Sequence, residues 1–220
     1  MSSFILQLRT EFLIEYRSWS QSGAILLFVL VLAYVISRIK PGLSSTPELV
    51  ITEFSFIFWL FLMLISVSIA IRTEGHSDDG EHILIYTLIS PLTAFFAKYF
   101  FNVMYLALIG IGFYLALYFF YAPQVSLSLD FVTLILCGAI SIAAALSFTS
   151  AIASHLVGQN TILSILSIPI LIPVILTLYQ MSVGQVMQGS IEMSQYLTLF
   201  SISLLSIALS LFLFPMVWKQ

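Results

Sequence analysis

Charged residues are scarce in this chain. Asp, Glu, Lys and Arg together make up 8% of its 220 residues, whereas 60% of the residues are hydrophobic. A soluble domain carries about 25% charged residues. With so little charge the chain cannot cover a surface that faces water, so we expect most of its surface to face lipid. The net charge of -3 also gives no basic patch of the kind that a nucleic-acid-binding protein needs.

Cysteine is almost absent as well. The single Cys137 excludes an internal disulfide and a cysteine metal cluster. It lies within an apolar run, which is typical of a packed structural thiol rather than a reactive one.

Catalytic motifs are missing too. No lysine follows a glycine, so the chain has no phosphate-cradling loop and is not expected to hydrolyse ATP by itself. No charged residue lies near the middle of an apolar run, which disfavours an ion-coupled transporter, although uncharged groups can still bind sodium. We therefore predict a protein without catalytic machinery of its own.

Long apolar runs, separated by charged or polar residues, are what the sequence does contain. A membrane-spanning helix needs ~20 such residues. The uncharged stretch 131–191 is too long for one span, and its polar break Ser154–Asn160 divides it into two. The predicted fold is a single all-α integral membrane domain, residues 1–220, with six transmembrane helices. The predicted spans are 21–39, 53–71, 94–121, 131–153, 161–180 and 195–214.

Residues 1–20 form a separate amphipathic pattern. Six apolar or aromatic residues share one face of a helical wheel: Phe4, Ile5, Leu8, Phe12, Tyr16 and Trp19. Polar residues lie mostly opposite: Gln7, Thr10, Glu11, Arg17 and Ser18. This pattern favours a helix lying in the membrane interface over an extension of the first span.

Basic residues in the loops set the orientation. With the N-terminus in the cytoplasm, five basic residues face inward: Arg9, Arg17, Arg72, Lys98 and Lys219. Only Arg38 and Lys40 face outward. We therefore predict that both termini are cytoplasmic.

The loop after the second span concentrates the charge of the chain. Residues 72–82 hold four acids, one arginine and two histidines. Asp79 is placed to cap a short helix from Gly80 to Ile89, with Glu81 near its positive end. The loop is either an ordinary solvated loop or a docking element for a cytosolic subunit. For docking, the candidate residues are Glu74, Asp78, Asp79, Gly80, Glu81, Leu84 and Leu88.

Two further patterns concern packing. Pro169 and Pro173 lie four residues apart on one face of the fifth span, which predicts a kink. Small residues in the fourth span, from Gly138 to Ser147, permit close helix contact and suit a packed interior or a dimer seam. The three histidines, His76, His82 and His155, are best read as surface residues, so no metal site is predicted; axial haem ligation by His155 is the weaker alternative.

Together these features resemble the ABC-2 type permeases, and most closely the CcmB family, the membrane subunit in cytochrome c maturation. The resemblance covers essentially the whole chain. It rests on Asp79-Gly80 with the apolar run that follows, Pro91, Lys98, and the segment Leu163–Leu166 with its two prolines. The chain departs from some relatives at Val157–Asn160, where it is uncharged and they carry basic residues.

The resemblance implies a permease homodimer in the bacterial inner membrane, driven by a separate CcmA-like ATPase. CcmC-like and CcmE-like membrane proteins would be its partners. It implies no firmly bound cofactor, with haem as the candidate substrate. An alternative role is the ATP-dependent release of a haem-loaded chaperone. Two other function classes stay open: an ABC-2 exporter of a lipid or drug, and a membrane scaffold that transports nothing.

Overall fold

A computed structural model describes residues 3–17, 19–38, 47–75, 91–121, 129–153, 159–188 and 191–217 of the chain. The described residues form seven α-helices and no strand. These helices are α1 (Ser3–Arg17), α2 (Trp19–Arg38), α3 (Pro47–Gly75), α4 (Pro91–Tyr121), α5 (Leu129–Ala153), α6 (Gln159–Gln188) and α7 (Met193–Val217).

Five of these helices, α3 to α7, are long and apolar enough to cross a membrane. The chain is therefore a multi-pass membrane protein. The apolar part of α2, Gly23–Ile36, is shorter than the other five. Each of the six predicted spans coincides with one helix, α2 to α7. The largest difference is at the end of α6, which continues to Gln188 instead of ending near residue 180. The polar residues of this last part, such as Ser182 and Gln185, hid the helix from a reading based on hydrophobicity.

Helix α5 lies at the centre of the bundle and packs against α4, α6 and α7. Its small residues make this possible, because small side chains let helix backbones approach each other closely. The buried small residues of α5 are Gly138, Ala139, Ser141, Ala143, Ala144 and Ala145. Of the two readings of this stretch, the structure supports the packed interior. Facing it, α7 buries Ser203, Ser206 and Ser210.

A hydroxyl pair ties α7 to α5. The Ser203 hydroxyl donates to Ser141 Oγ at 2.8 Å, and Ser141 donates in turn to the Cys137 carbonyl at 2.9 Å. Both serines are buried. This pair is a specific polar contact between α5 and α7 in an otherwise largely apolar core.

Aromatic rings cluster at one end of the bundle, which we call the aromatic end. Phe54, Phe58 and Trp59 in the first half of α3 contact Phe131 at the start of α5. Phe113 and Tyr114 near the end of α4 join the same cluster. The start of α3, the end of α4 and the start of α5 therefore lie together.

The opposite end, which we call the α1 end, carries α1 against the first turns of α4. The ring of Phe4 meets that of Phe100 with centroids 5.9 Å apart, and the ring of Phe12 meets that of Phe101 at 5.1 Å. Phe4 and Phe12 are ~12 Å apart along α1, whereas their partners are consecutive residues of α4. Helix α1 therefore crosses α4 steeply instead of running beside it.

The crossing helix changes the environment of one face of α4. Phe101, Leu108 and Phe119 share this face, because residues seven and eleven apart return to the same side of a helix. Phe101 is 2% exposed, whereas Leu108 is 63% and Phe119 is 78% exposed. The face is covered where α1 crosses it and open to the surroundings beyond that point.

Candidate functional site

The predicted docking loop connects α3 to α4 at the α1 end. Glu74 belongs to the last turn of α3, and Pro91 is the first residue of α4. Proline is favoured at the first position of a helix, because its missing N–H has no helical partner there. Six of the docking candidates lie outside the described residues: Asp78, Asp79, Gly80, Glu81, Leu84 and Leu88. The predicted short helix from Gly80 to Ile89 lies outside them too.

Helix α1 and this connection meet on the same helix, α4. Pro91 starts α4, and the rings of α1 reach it at Phe100 and Phe101, two to three turns later. Tyr99 on the same stretch donates a hydrogen bond of 3.3 Å from its hydroxyl to the Ile140 carbonyl on α5. The first turns of α4 thus link α1, the connection to α3 and the central helix α5.

The joint between α1 and α4 contains a polar side chain where the sequence pattern placed none. Gln7 was assigned to the polar face of α1, yet it is buried with 7% exposure, whereas Ile5 and Leu13 are exposed. The packed side of α1 is therefore not its most apolar side. Gln7 Oε1 is buried without a hydrogen-bond partner, and so is Oδ1 of Asn102 on α4. Buried polar atoms without partners lower the free energy gained when α1 packs against α4, compared with a purely apolar contact.

At the aromatic end, Trp59 lies across the backbone of α5. Its Nε1 donates to Ser182 Oγ on α6 at 2.7 Å. The ring lies 2.7 and 2.8 Å from the position that a Cβ on Gly138 would occupy. Only glycine allows this approach. Trp59 therefore holds α3, α5 and α6 together through one buried side chain.

Pro169 and Pro173 both lie within α6 and are exposed on its surface, as are Ile165 and Ile172. Proline has no N–H, so each leaves the carbonyl four residues earlier without its helical donor. Those carbonyls belong to Ile165 and to Pro169. The prolines thus lie on the side of α6 that faces away from the bundle, and the predicted kink stays a prediction.

Among the residues that the structure describes, no group of three His, Cys, Asp or Glu residues that could hold a metal ion comes together. His76, His82 and His155 lie outside the described residues. Cys137 is a free thiol, partly buried on α5.

No family model matches the chain, and neither a curated protein nor a solved structure matches it.

Proposed function

We propose that the chain is the membrane subunit of an ATP-driven ABC complex, of the type that acts in c-type cytochrome biogenesis. The observation that carries this proposal is the arrangement at the α1 end, where α1 crosses the first turns of α4 beside the connection from α3. A separate ATPase bound at this end would contact two adjacent elements, α1 and the connection from α3 to α4. Motion there would pass to α3 and α4 directly, and to α5 through Tyr99.

The length of α4 supports a position of α1 at the membrane surface. Its 31 residues extend ~46 Å, whereas the hydrocarbon core is ~30 Å thick. The surplus is about as long as the part of α4 that precedes the crossing at Phe100. Lys98 lies in that part, where a lysine can reach the headgroups. Helix α1 would then lie in the interface, with Ile5 and Leu13 toward the lipid.

The proposed assembly is a homodimer of this chain with two CcmA-like ATPase subunits, beside CcmC-like and CcmE-like proteins in the bacterial inner membrane. All six helices α2 to α7 would span, in the ABC-2 arrangement. ATP hydrolysis would take place on the partner. Haem would be the transported substrate, or the cargo of a chaperone that the complex releases.

Truncating two leucines of the loop tests ATPase docking. Leu84 and Leu88 are four residues apart, so they share a face if the segment is helical. We expect Leu84→Ala combined with Leu88→Ala to reduce recovery of the co-expressed ATPase in a pull-down. Central apolar anchors typically contribute more than about 1 kcal/mol each, so the loss should exceed fivefold.

The matched control is Asp78→Asn combined with Asp79→Asn. Exposed charge pairs contribute only about 0.2–1 kcal/mol each, so this variant should retain most of the ATPase. Membrane insertion of both variants is compared first. If the leucine variant inserts and keeps its ATPase as well as the wild type, the loop is not the anchor and α1 becomes the candidate.

Orientation gives a separate prediction. In a Cys137→Ser background, cysteines placed at Ser126 and Gln188 should react with a membrane-impermeant maleimide in intact spheroplasts. Both positions belong to the outer side when the five basic residues face the cytoplasm. A cysteine at Thr73 serves as the inner control and should react only after permeabilisation. The reverse pattern would invert the proposed topology.

The other function classes predict different partners. An exporter of a lipid or drug would co-purify with an ATPase but with neither haem nor CcmC-like proteins. A scaffold would support its pathway equally well when the ATPase carries an inactivating substitution. Purification of the chain with its neighbours, followed by a haem assay and an ATPase assay, separates all three.

A further inference from the structure

Helix α1 is attached to the bundle at a small number of contacts. It packs chiefly against α4. The ring contacts between the two helices are edge-to-face pairs, Phe4 with Phe100 and Phe12 with Phe101. One such pair favours the packed state by about two- to tenfold in an equilibrium constant. The two pairs together therefore favour it by about fivefold to a hundredfold.

Gln7 acts against this attachment. Of the α1 residues whose side chains the structure describes, Gln7 alone is buried. Its Oε1 has no hydrogen-bond partner. An unpaired buried polar atom disfavours the packed state by about fivefold to a hundredfold. This factor is as large as the gain from both ring pairs, so the packed position of α1 is close to balance.

The bilayer offers α1 a second position. Ile5 and Leu13 are exposed on α1 while it is packed against α4. If α1 leaves α4, Phe4 and Phe12 pass into lipid, which surrounds apolar rings about as favourably as a protein interior does. An amphipathic helix lies in the interface with its polar groups toward water. The Gln7 amide therefore gains hydrogen bonds there that it lacks against the bundle.

The position of α1 decides how much of one face of α4 is open. Phe101 is buried where the ring of Phe12 lies against it. Leu108 and Phe119 on the same face are exposed. Phe101 precedes Leu108 by about two helical turns. Departure of α1 would therefore extend the open apolar face by these two turns, toward the start of α4.

We infer that α1 is a movable strap, docked across α4 in one state and detached from it, beside the bilayer, in another. The buried Gln7 amide keeps the two states close in free energy. In the docked state the face of α4 that carries Phe101 is covered, and in the detached state it is open. A partner that binds one state better shifts the balance toward that state. The inference concerns this chain alone and does not depend on the proposed ATPase.

Distances between two spin labels report the two states. In a Cys137→Ser background, one label is attached to a cysteine at Arg9, which is exposed on α1, and the other to a cysteine at Met104, which is exposed on α4. Pulsed electron spin resonance is recorded on the purified full-length chain in lipid nanodiscs. We expect two distances, of which the longer belongs to the detached state. Their amplitudes give the ratio of docked to detached α1.

Two variants shift this ratio in opposite directions. Gln7→Leu replaces the unpaired amide by an apolar side chain of similar size, so it should raise the ratio by about fivefold or more. Phe12→Ala removes one ring contact and should lower the ratio by about two- to tenfold. Thr10→Val is the matched control, because Thr10 is exposed and its hydroxyl donates only within α1, to the Gln7 carbonyl at 2.6 Å. It makes α1 more apolar without changing the packed side, and the ratio should stay as it is.

Four results would overturn the inference. A single distance in the wild type would mean that α1 has only one position. A ratio that Gln7→Leu leaves unchanged would mean that the buried amide does not set the balance. An equal response to Gln7→Leu and Thr10→Val would assign the effect to the hydrophobicity of α1 in lipid instead of its contact with the bundle. A ratio that Phe12→Ala does not lower would mean that the ring contacts do not hold α1 in place.

Discussion

Replacing Trp59 by alanine should destabilise the bundle by about 3–5 kcal/mol, the largest effect expected for any single substitution at the aromatic end. Trp59 is completely buried, and its ring contacts Phe58 at a centroid distance of 5.2 Å and Phe131 at 6.4 Å. In a membrane the transfer of apolar surface out of water does not drive helix association. Packing contacts do, and removing an indole leaves its neighbours without them.

The hydrogen bond of Trp59 contributes less to this effect than the packing does. Without the indole, Ser182 Oγ still donates to the Leu178 carbonyl at 2.8 Å, so its hydroxyl is not left unpaired. Trp59→Phe removes the donor and part of the ring, and it should lie between the wild type and Trp59→Ala. Reversible unfolding in mixed micelles with increasing dodecyl sulfate measures all three proteins.

Phe119→Ala is the control for the loss of an aromatic side chain. Phe119 is 78% exposed on the open face of α4, so its removal should change the unfolding free energy by less than about 0.5 kcal/mol. Equal effects of the Trp59 and Phe119 substitutions would mean that the aromatic end is not the stable core that its burial indicates.

Gly138→Ala is the second substitution with a large expected effect, about 1–3 kcal/mol of destabilisation. The new Cβ would lie 2.7 and 2.8 Å from two atoms of the Trp59 ring, and 3.3 Å from Leu178 Cδ1. A carbon atom cannot stay that close, so the ring must move. Moving the ring strains its hydrogen bond to Ser182. The same unfolding measurement detects the loss.

Two further variants show whether the clash itself is responsible. Gly112 has nothing within 4 Å of its missing Cβ, so Gly112→Ala should be neutral or stabilising, as alanine favours a helix. The ring atoms nearest to Gly138 belong to the six-membered ring of the indole. Gly138→Ala should therefore cost less in a Trp59→Phe background than in the wild type. Additive effects in this double-mutant cycle would rule out the clash.

Five of the six predicted spans correspond to helices that are long and apolar enough to cross a membrane. They were predictable because one property, the absence of charge over a sufficient length, determines where a chain can cross. Glu53 and Asp130 each lie one residue inside the start of an apolar span, whereas Lys98 lies seven residues inside α4. The end of α6 was missed because Ser182 and Gln185 are polar although they continue the helix. Uncharged polar residues do not end a helix. Hydrophobicity alone therefore cannot distinguish a polar stretch that continues a helix from a polar loop that follows one.

Packing was less predictable than the spans. Gly138 was identified as a small residue that suits close contact, but its partner Trp59 is 79 positions away in the sequence. Nothing local identifies that partner. The burial of Gln7 was missed for a related reason, since a helical wheel shows which residues share a face and not which face meets the protein.

The serine-lined contact between α5 and α7 also has a consequence for how the protein is made. Helix α7 follows α5 and α6 in the chain and leaves the ribosome after them, and the 64 residues from 154 to 217 separate its end from the end of α5. At 5–20 residues per second, translation of that stretch takes about 3–13 seconds. During this interval α7 does not yet cover the small-residue face of α5, which includes the Ser141 hydroxyl, so this face lies open in the bilayer. A nascent chain stalled before α7 would keep that face open, and membrane quality control could recognise the unfinished protein there.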